Sequence, residues 1–184
     1  MTDDLRVIKT NRDIKRAFIR LLQTTGFNKI TVQDICSEAL IGRSTFYHHY
    51  VDKYALLQRL VNQLETDFEH LLHNRLHQVS SDSLLTFLYQ SLNQRKMEFL
   101  TLIAIQVDDI NLEKGLTSII SRNLRTYLAT QNTLTLPVSA EFLATLYANN
   151  VLTGIKWALA HDNPDEVAEF MNGIMQDLTT KYIR

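Results

Sequence analysis

The chain has 184 residues, 45% of them hydrophobic, which is enough apolar material for a substantial core. Five glycines and two prolines signal few turns, so we predict an all-α fold. The single cysteine, Cys36, excludes an internal disulfide and a thiolate metal cluster. The sequence shows no signal peptide and no run of eighteen apolar residues, so we expect a cytoplasmic protein without a membrane partner.

Charge is distributed unevenly along the chain, although the net charge is only -1. Residues 1–60 carry ten Lys or Arg against six Asp or Glu, whereas the remainder carries nine against fourteen. A basic segment followed by an acidic one indicates an amino-terminal module that approaches a polyanion.

The first predicted elements are four helices. The segment "NRDIKRAFIRLLQTTG" has helical apolar spacing with basic residues on its other faces, and Gly26 is a suitable stop. Thr31 and Asp34 form a capping-box pattern that begins a second short helix. The turn "LIG" leads to a third helix, "RSTFYHH", and Asp52 is placed to cap a long fourth helix that ends near "SSDS".

Helical spacing continues through the rest of the chain. We predict helices at about 82–92, 95–107 and 112–130, with boundaries uncertain by two to four residues. Two further helices follow, "AEFLATLYANNVLTGIKWALAH" and "DEVAEFMNGIMQDLTTKYI", the last one opened by Pro164.

A basic helix followed by two short helices around a tight turn is the arrangement of a helix-turn-helix DNA-binding module. Its second short helix would lie in the major groove, with base contacts from its amino-terminal residues and phosphate contacts from Tyr47, His49 and Lys53. Phe46 and Tyr50 are then predicted to pack inward. The predicted DNA-binding residues are Thr31, Gln33, Arg43, Ser44, Thr45, Tyr47, His48, His49 and Lys53.

These helices resemble the tetracycline-repressor (TetR/AcrR) family of bacterial regulators. The family pattern is matched at Thr31, Ile35, Ala39, Ile41, Thr45, Tyr47, Tyr50, Lys53 and Leu56. The resemblance implies a helix-turn-helix domain at residues 1–52, joined through the long fourth helix to a helical effector-binding and dimerisation domain at 53–184. It covers roughly residues 10–60.

The sequence departs from that pattern at the turn. Leu40 stands where glycine is frequent, and Gly42 replaces a serine at the cap of the third helix. If the turn needs a left-handed backbone at Leu40, a non-glycine residue costs on the order of 1 kcal/mol.

The resemblance implies a homodimer in which the last two helices of each chain form a four-helix bundle, and apolar stripes on both helices agree with it. The predicted interface residues are Leu143, Tyr147, Gly154, Phe170, Ile174 and Leu178. The segment "GIKWALAHDNPDEVAEF" also resembles the ending of a TetR subgroup that includes a coactivator of dihydroxyacetone kinase genes.

Aromatic residues in the central helices and a polar Asn150 in an apolar helix fit a small organic effector. The predicted pocket residues are Phe87, Phe99, Tyr127, Asn150 and Trp157. Each of these aromatic residues is equally compatible with ordinary core packing. His70, His73 and His77 share a helical spacing that suits a metal, but a solvated face is favoured and we predict no metal site and no cofactor.

The sequence contains no phosphate-binding glycine loop and no evident nucleophile with its base, so we do not expect an enzyme. We predict a homodimeric, ligand-responsive transcriptional regulator, with repression favoured, that binds a palindromic operator and is released by its effector. The alternative is an all-helical dimeric interaction protein or coactivator that acts through a protein partner, its DNA binding weakened at Leu40 and Gly42.

Overall fold

The computed structural model describes residues 2–76, 84–107, 109–130 and 138–182. Within these ranges the chain is helical and forms no strand beyond an isolated bridge between Val107 and Ile110, so the all-α prediction is confirmed. The helices are α1 (Thr2–Thr24), α2 (Val32–Glu38), α3 (Arg43–His49), α4 (Lys53–Leu76), α5 (Leu84–Asn93), α6 (Lys96–Ile103), α7 (Leu112–Ala129), α8 (Ala140–His161) and α9 (Pro164–Tyr182).

The amino-terminal unit consists of α1, α2, α3 and a short 3-10 helix at Phe27–Lys29. Ile14 and Phe18 of α1 are fully buried against Ile35 of α2 and Phe46 of α3. Cys36 is also buried, where its small apolar side chain fits. The apolar face of α1 therefore holds the two short helices in place.

Helix α4 connects this unit to the remaining helices, because its buried leucines belong to the same continuous core as residues on both sides. Beyond it, α7 packs along α8 and against α4, while α9 packs on α8 and α5. Helix α1 also touches α6. The amino-terminal unit is thus attached to the larger helical domain through both α4 and the α1–α6 contact.

Two helix boundaries differ from the sequence prediction. Helix α1 begins at Thr2 rather than near residue 11, since nothing in "TDDLRVIKT" interrupts a helix. Helix α6 ends at Ile103 rather than near 107, where β-branched Ile105 and Val107 follow. The predicted stop at "SSDS" lies outside the described residues. No described helix is long and apolar enough to cross a membrane.

Candidate DNA-binding surface

The start of α2 is fixed by the predicted capping box. The Thr31 hydroxyl accepts a hydrogen bond from the Asp34 amide at 3.2 Å, and the Asp34 carboxylate accepts from the Thr31 amide at 2.9 Å. The Thr31 hydroxyl also donates to that carboxylate at 2.7 Å, and these bonds lower the pKa of Asp34. The side chain of Thr31 therefore orients α2.

The turn between α2 and α3 does require a left-handed residue, and Leu40 supplies it with a φ of 55°. The Ile41 amide donates to the Cys36 carbonyl at 3.0 Å and the Leu40 amide to the Ser37 carbonyl at 3.3 Å, which is a Schellman C-cap. The Leu40 side chain is 92% exposed and contributes no packing to offset the backbone strain. The departure from glycine thus weakens the turn without changing its geometry.

Helix α3 divides into the two faces that the sequence predicted. Phe46 and Tyr50 are buried, and the Tyr50 hydroxyl donates to Asn11 of α1 at 3.1 Å. Tyr47 is 56% exposed, and His48 is exposed beside it. The inward packing of Phe46 and Tyr50 is confirmed. The Asn11 bond was not predicted, because no local pattern links residues 39 positions apart.

The amino-terminal end of α3 holds the main candidates for base contacts. Arg43 and Ser44 are exposed, whereas Thr45 is half-buried. The Arg43 Nε donates to the Gln33 Oε1 at 2.6 Å, so two predicted DNA-binding residues from different helices lie side by side. This bond uses Nε and leaves the donors of the two terminal nitrogens, with which an exposed arginine can make a bidentate contact to guanine.

Lys53 has a structural position that sequence reasoning did not anticipate. Its ammonium donates to the carbonyls of Phe27, Asn28 and Ile30 at 2.9, 3.3 and 2.7 Å, and it lies 4.6 Å from the centre of the Phe27 ring. Three carbonyls match the three donors of an ammonium group. The side chain therefore fixes the 3-10 helix to the start of α4, and its predicted phosphate contact stays a prediction.

His48 and His49 are the last two residues of α3. Their rings contact each other edge to face, with centroids 5.4 Å apart. Partial burial is the main cause that lowers the pKa of His49, and the neighbouring His48 and Arg59 act in the same direction. His49 is therefore disposed to be neutral in the free protein, and a nearby phosphate would favour its charged form.

The predicted effector-pocket residues differ in their exposure. Phe99 is buried in the core and Phe87 packs against it, while Tyr127 and Trp157 are 50% and 54% exposed. Trp157 stacks on His161, with ring centroids 4.0 Å apart. Asn150 is half-buried. Their shared role in an effector pocket stays a prediction.

Helices α8 and α9 expose apolar side chains, two of them at predicted interface positions. These two are Phe170 and Ile174, and Phe142 and Leu146, which were not among the predicted residues, are also exposed. Leu143 and Tyr147 are half-buried, and the side chain of Leu178 lies outside the described part of the structure. Gly154 is covered from within the chain, because an added Cβ would lie 2.5 Å from Leu85 Cδ1.

No group of three or more His, Cys, Asp or Glu residues within the described ranges is arranged to hold a metal ion. His70 and His73 are exposed, and His77 lies outside those ranges.

A family model and two curated regulators each match about a third of the chain or less. Residues 14–60 match the family model for bacterial regulatory proteins of the tetR family. An uncharacterized HTH-type transcriptional regulator, YxbF of Bacillus subtilis, is 36% identical over 61 residues, which cover 33% of this chain and 16% of that protein. The HTH-type dhaKLM operon transcriptional activator DhaS of Lactococcus lactis is 34% identical over 67 residues, covering 36% of this chain and 34% of that protein.

The aligned segments thus span about a third or less of the curated relatives, both of which are named as transcriptional regulators rather than enzymes. The fold is similar over nearly the whole length to a TetR transcriptional regulator from Streptococcus agalactiae, with a TM-score of 0.64, 24% identity and coverage of 95% of this chain and 97% of that one. The match thus identifies residues 14–60 as a segment of the tetR family of bacterial regulatory proteins, and the fold of the chain is similar to that of a TetR transcriptional regulator.

Proposed function

We propose that the chain is a homodimeric transcriptional repressor that binds a palindromic operator and releases it when a small organic effector binds. The observation that carries this proposal is α3, which exposes Arg43, Ser44, Tyr47 and His48 on one face while Phe46 and Tyr50 anchor the opposite face. Such a helix presents a cation, hydroxyls and imidazoles to the groove without loosening its own packing. The protein would act in the bacterial cytoplasm, on its own genome.

In this proposal, residues 1–52 bind DNA, and residues 53–184 bind the effector and form the dimer. The continuous core across α4 supports mechanical coupling between the two, because a shift of α4 would move α3 with it. A dimer needs its two recognition helices one helical turn of DNA apart, so a small shift suffices to weaken binding.

The apolar face of α8 and α9 supports the dimer. Phe142 and Leu146 of α8 and Phe170 and Ile174 of α9 are all exposed in the single chain. Exposed apolar residues grouped on adjacent helices are typical of an association surface. Pairing with a second copy would bury them in a four-helix bundle.

Selection of bound genomic fragments, followed by fluorescence anisotropy on the enriched sequence across a salt series, tests the DNA-binding proposal. We expect salt-dependent binding, and Arg43→Ala should weaken the operator complex by about 1–3 kcal/mol while sparing random DNA. Arg125→Ala, an exposed arginine on α7, is the charge-matched control. A wild-type protein without salt-dependent DNA binding would instead favour the partner-protein alternative.

The direction of regulation needs its own test, because the matched DhaS is named as an activator. A reporter gene placed behind the selected operator should be expressed more strongly when the regulator is deleted. Lower expression after deletion would identify an activator.

The effector proposal is tested at Asn150, the polar candidate in α8. A library of small organic molecules should contain a compound that raises the melting temperature and releases the operator. Asn150→Leu should weaken that response and leave ligand-free DNA binding intact. Dissociation of the dimer by this variant, with unchanged effector affinity, would place Asn150 in the interface instead.

A further inference from the structure

A basic groove lies between α1 and residues 93–98, which join α5 to α6. Its volume is about 1030 Å³. Asn11, Lys15, Ile19 and Gln23 recur every four residues along α1 and form one wall, while residues 93–98 form the other. Gln23 donates to Thr101 of α6 at 3.1 Å and holds the two walls together at one end.

The groove is strongly cationic, since six of its lining residues are Lys or Arg and Glu98 alone is acidic. Four of these cations already have carboxylate partners. The pairs are Arg12 with Asp13, Arg20 with Glu38, Arg95 with Glu98 and Asp67, and Lys96 with Asp162. Glu98 is bound by Arg95, whose guanidinium donates to both of its oxygens at 2.9 and 3.1 Å and also pairs with Asp67.

The two other cations of the groove are Lys15 and Arg16. Within the described residues neither has a hydrogen bond or an ion pair. Lys15 is half-buried, and its burial is the largest of the effects that lower its pKa, with Arg59 and Arg95 acting in the same direction and Glu98 and Asp67 opposing. An ammonium that is half-buried without a hydrogen bond or an ion pair is unfavourable, and a bound anion would remove that penalty.

We propose that this groove binds a small organic anion with two or more negative charges, carried by phosphate or carboxylate groups. Lys15 and Arg16 would contact the charged groups, since ammonium and guanidinium donors bind such oxygens most strongly. Gln94 adds an amide to the same groove, and Ile19 and exposed Met97 offer apolar contact for a short carbon skeleton. The bound anion would tie α1 of the amino-terminal unit to α6 of the larger domain.

Binding of such an anion does not depend on the proposed regulatory function, although any effect on operator affinity does. The test therefore measures binding directly. Calorimetry and thermal shift would be performed on the full chain with pyrophosphate and, separately, citrate, at ionic strength held constant with sodium chloride. Pyrophosphate represents phosphate-bearing ligands and citrate represents carboxylate-bearing ones, so the tighter binder identifies the preferred chemistry.

The decisive variant is the double substitution Lys15→Gln and Arg16→Gln, compared with Lys9→Gln and Arg125→Gln, which removes the same charge at exposed positions outside the groove. We expect the groove variant to bind at least about tenfold more weakly, because charge-assisted hydrogen bonds are lost, and the control to bind like wild type. Arg16→Gln alone changes an exposed position and should show a smaller loss of anion affinity. It keeps the test valid if the double variant is poorly folded.

Three results would overturn the proposal. The first is that neither anion binds the wild type above the chloride background, and the second is that the control variant loses as much anion affinity as the groove variant. The third is that the groove variant loses affinity for DNA while its anion binding equals that of the control, which would assign these cations to the DNA-contacting surface.

Discussion

The exposed face of α3 and the exposed face of α8 and α9 both carry aromatic rings, but their surroundings differ. Tyr47 on α3 is flanked by Arg43, Ser44 and His48, so each neighbour offers a polar group to water or phosphate. On α8 and α9 the exposed Phe142 and Phe170 have only carbon to offer, and Leu146 and Ile174 are exposed with them. The first surface suits a hydrated polyanion, and the second is typical of a surface that associates with another protein surface.

Breaking the apolar surface should have the largest effect. Replacing both Phe170 and Ile174 with Glu should weaken dimerisation by more than about a hundredfold, because burial of two large apolar side chains contributes about 3 kcal/mol or more. Operator affinity should fall with it through loss of bivalency. Light scattering across a dilution series measures the first effect, and Tyr47→Gln on α3 is the control that should leave the dimer intact. A double variant that dimerises like wild type would move the interface elsewhere.

The second prediction concerns Lys53, which stabilises the unit that carries the polar face of α3. Lys53→Met should lower the free energy of unfolding by about 2 kcal/mol, because three backbone carbonyls lose a charged donor. Lys29→Met, an exposed lysine on the neighbouring 3-10 helix, should change stability little in the same urea titration. If stability is unchanged and the salt slope of DNA binding drops by about one unit, Lys53 contacts phosphate instead.

The strained turn before α3 gives a smaller expected change. Leu40→Gly should raise the free energy of unfolding by about 1 kcal/mol, since Leu40 has a left-handed backbone and an exposed side chain. Asp162 is a matched comparison with the same φ of 55°, but its carboxylate accepts from Lys96 at 2.8 Å and from Tyr89 at 3.3 Å. Asp162→Gly should therefore gain less or lose stability, and equal gains at both sites would show that the contacts of Asp162 contribute nothing.

The smallest effect is expected at Glu65, a half-buried carboxylate of α4 that lies against Gly115 of α7. Burial raises the pKa of Glu65, so its ionised form destabilises the folded state once the pH exceeds the unfolded-state pKa. Glu65→Gln should thus raise the melting temperature near neutral pH, with the gain shrinking as the pH falls and wild-type Glu65 becomes protonated.

One helical turn away, Glu69 is exposed and paired with Arg122 at 2.6 Å, which makes Glu69→Gln a matched control. It should leave the melting temperature unchanged or slightly lower. A gain for Glu65→Gln that stays constant with pH would contradict the burial argument.

The amino-terminal unit was far more predictable than the rest. Three of its features could be predicted because each depends on residues within a few positions of each other. They are the capping box of Thr31 and Asp34, the turn, and the inward placement of Phe46 and Tyr50. The end of α6 could not be predicted in this way, because the apolar spacing continues past Ile103 although the helix ends there.

By itself, the sequence determined the all-α architecture, the positions of α2 and α3, the start of α4 and the face of α3 that packs inward, because apolar periodicity and capping are local properties of a helix. Only the tertiary structure decided that the Lys53 ammonium binds three carbonyls, that Tyr50 bonds to Asn11, and that Lys15 makes no hydrogen bond or ion pair within the described residues. Polar groups pair with whatever the packed helices bring near them, and a pairing between distant segments has no local signature.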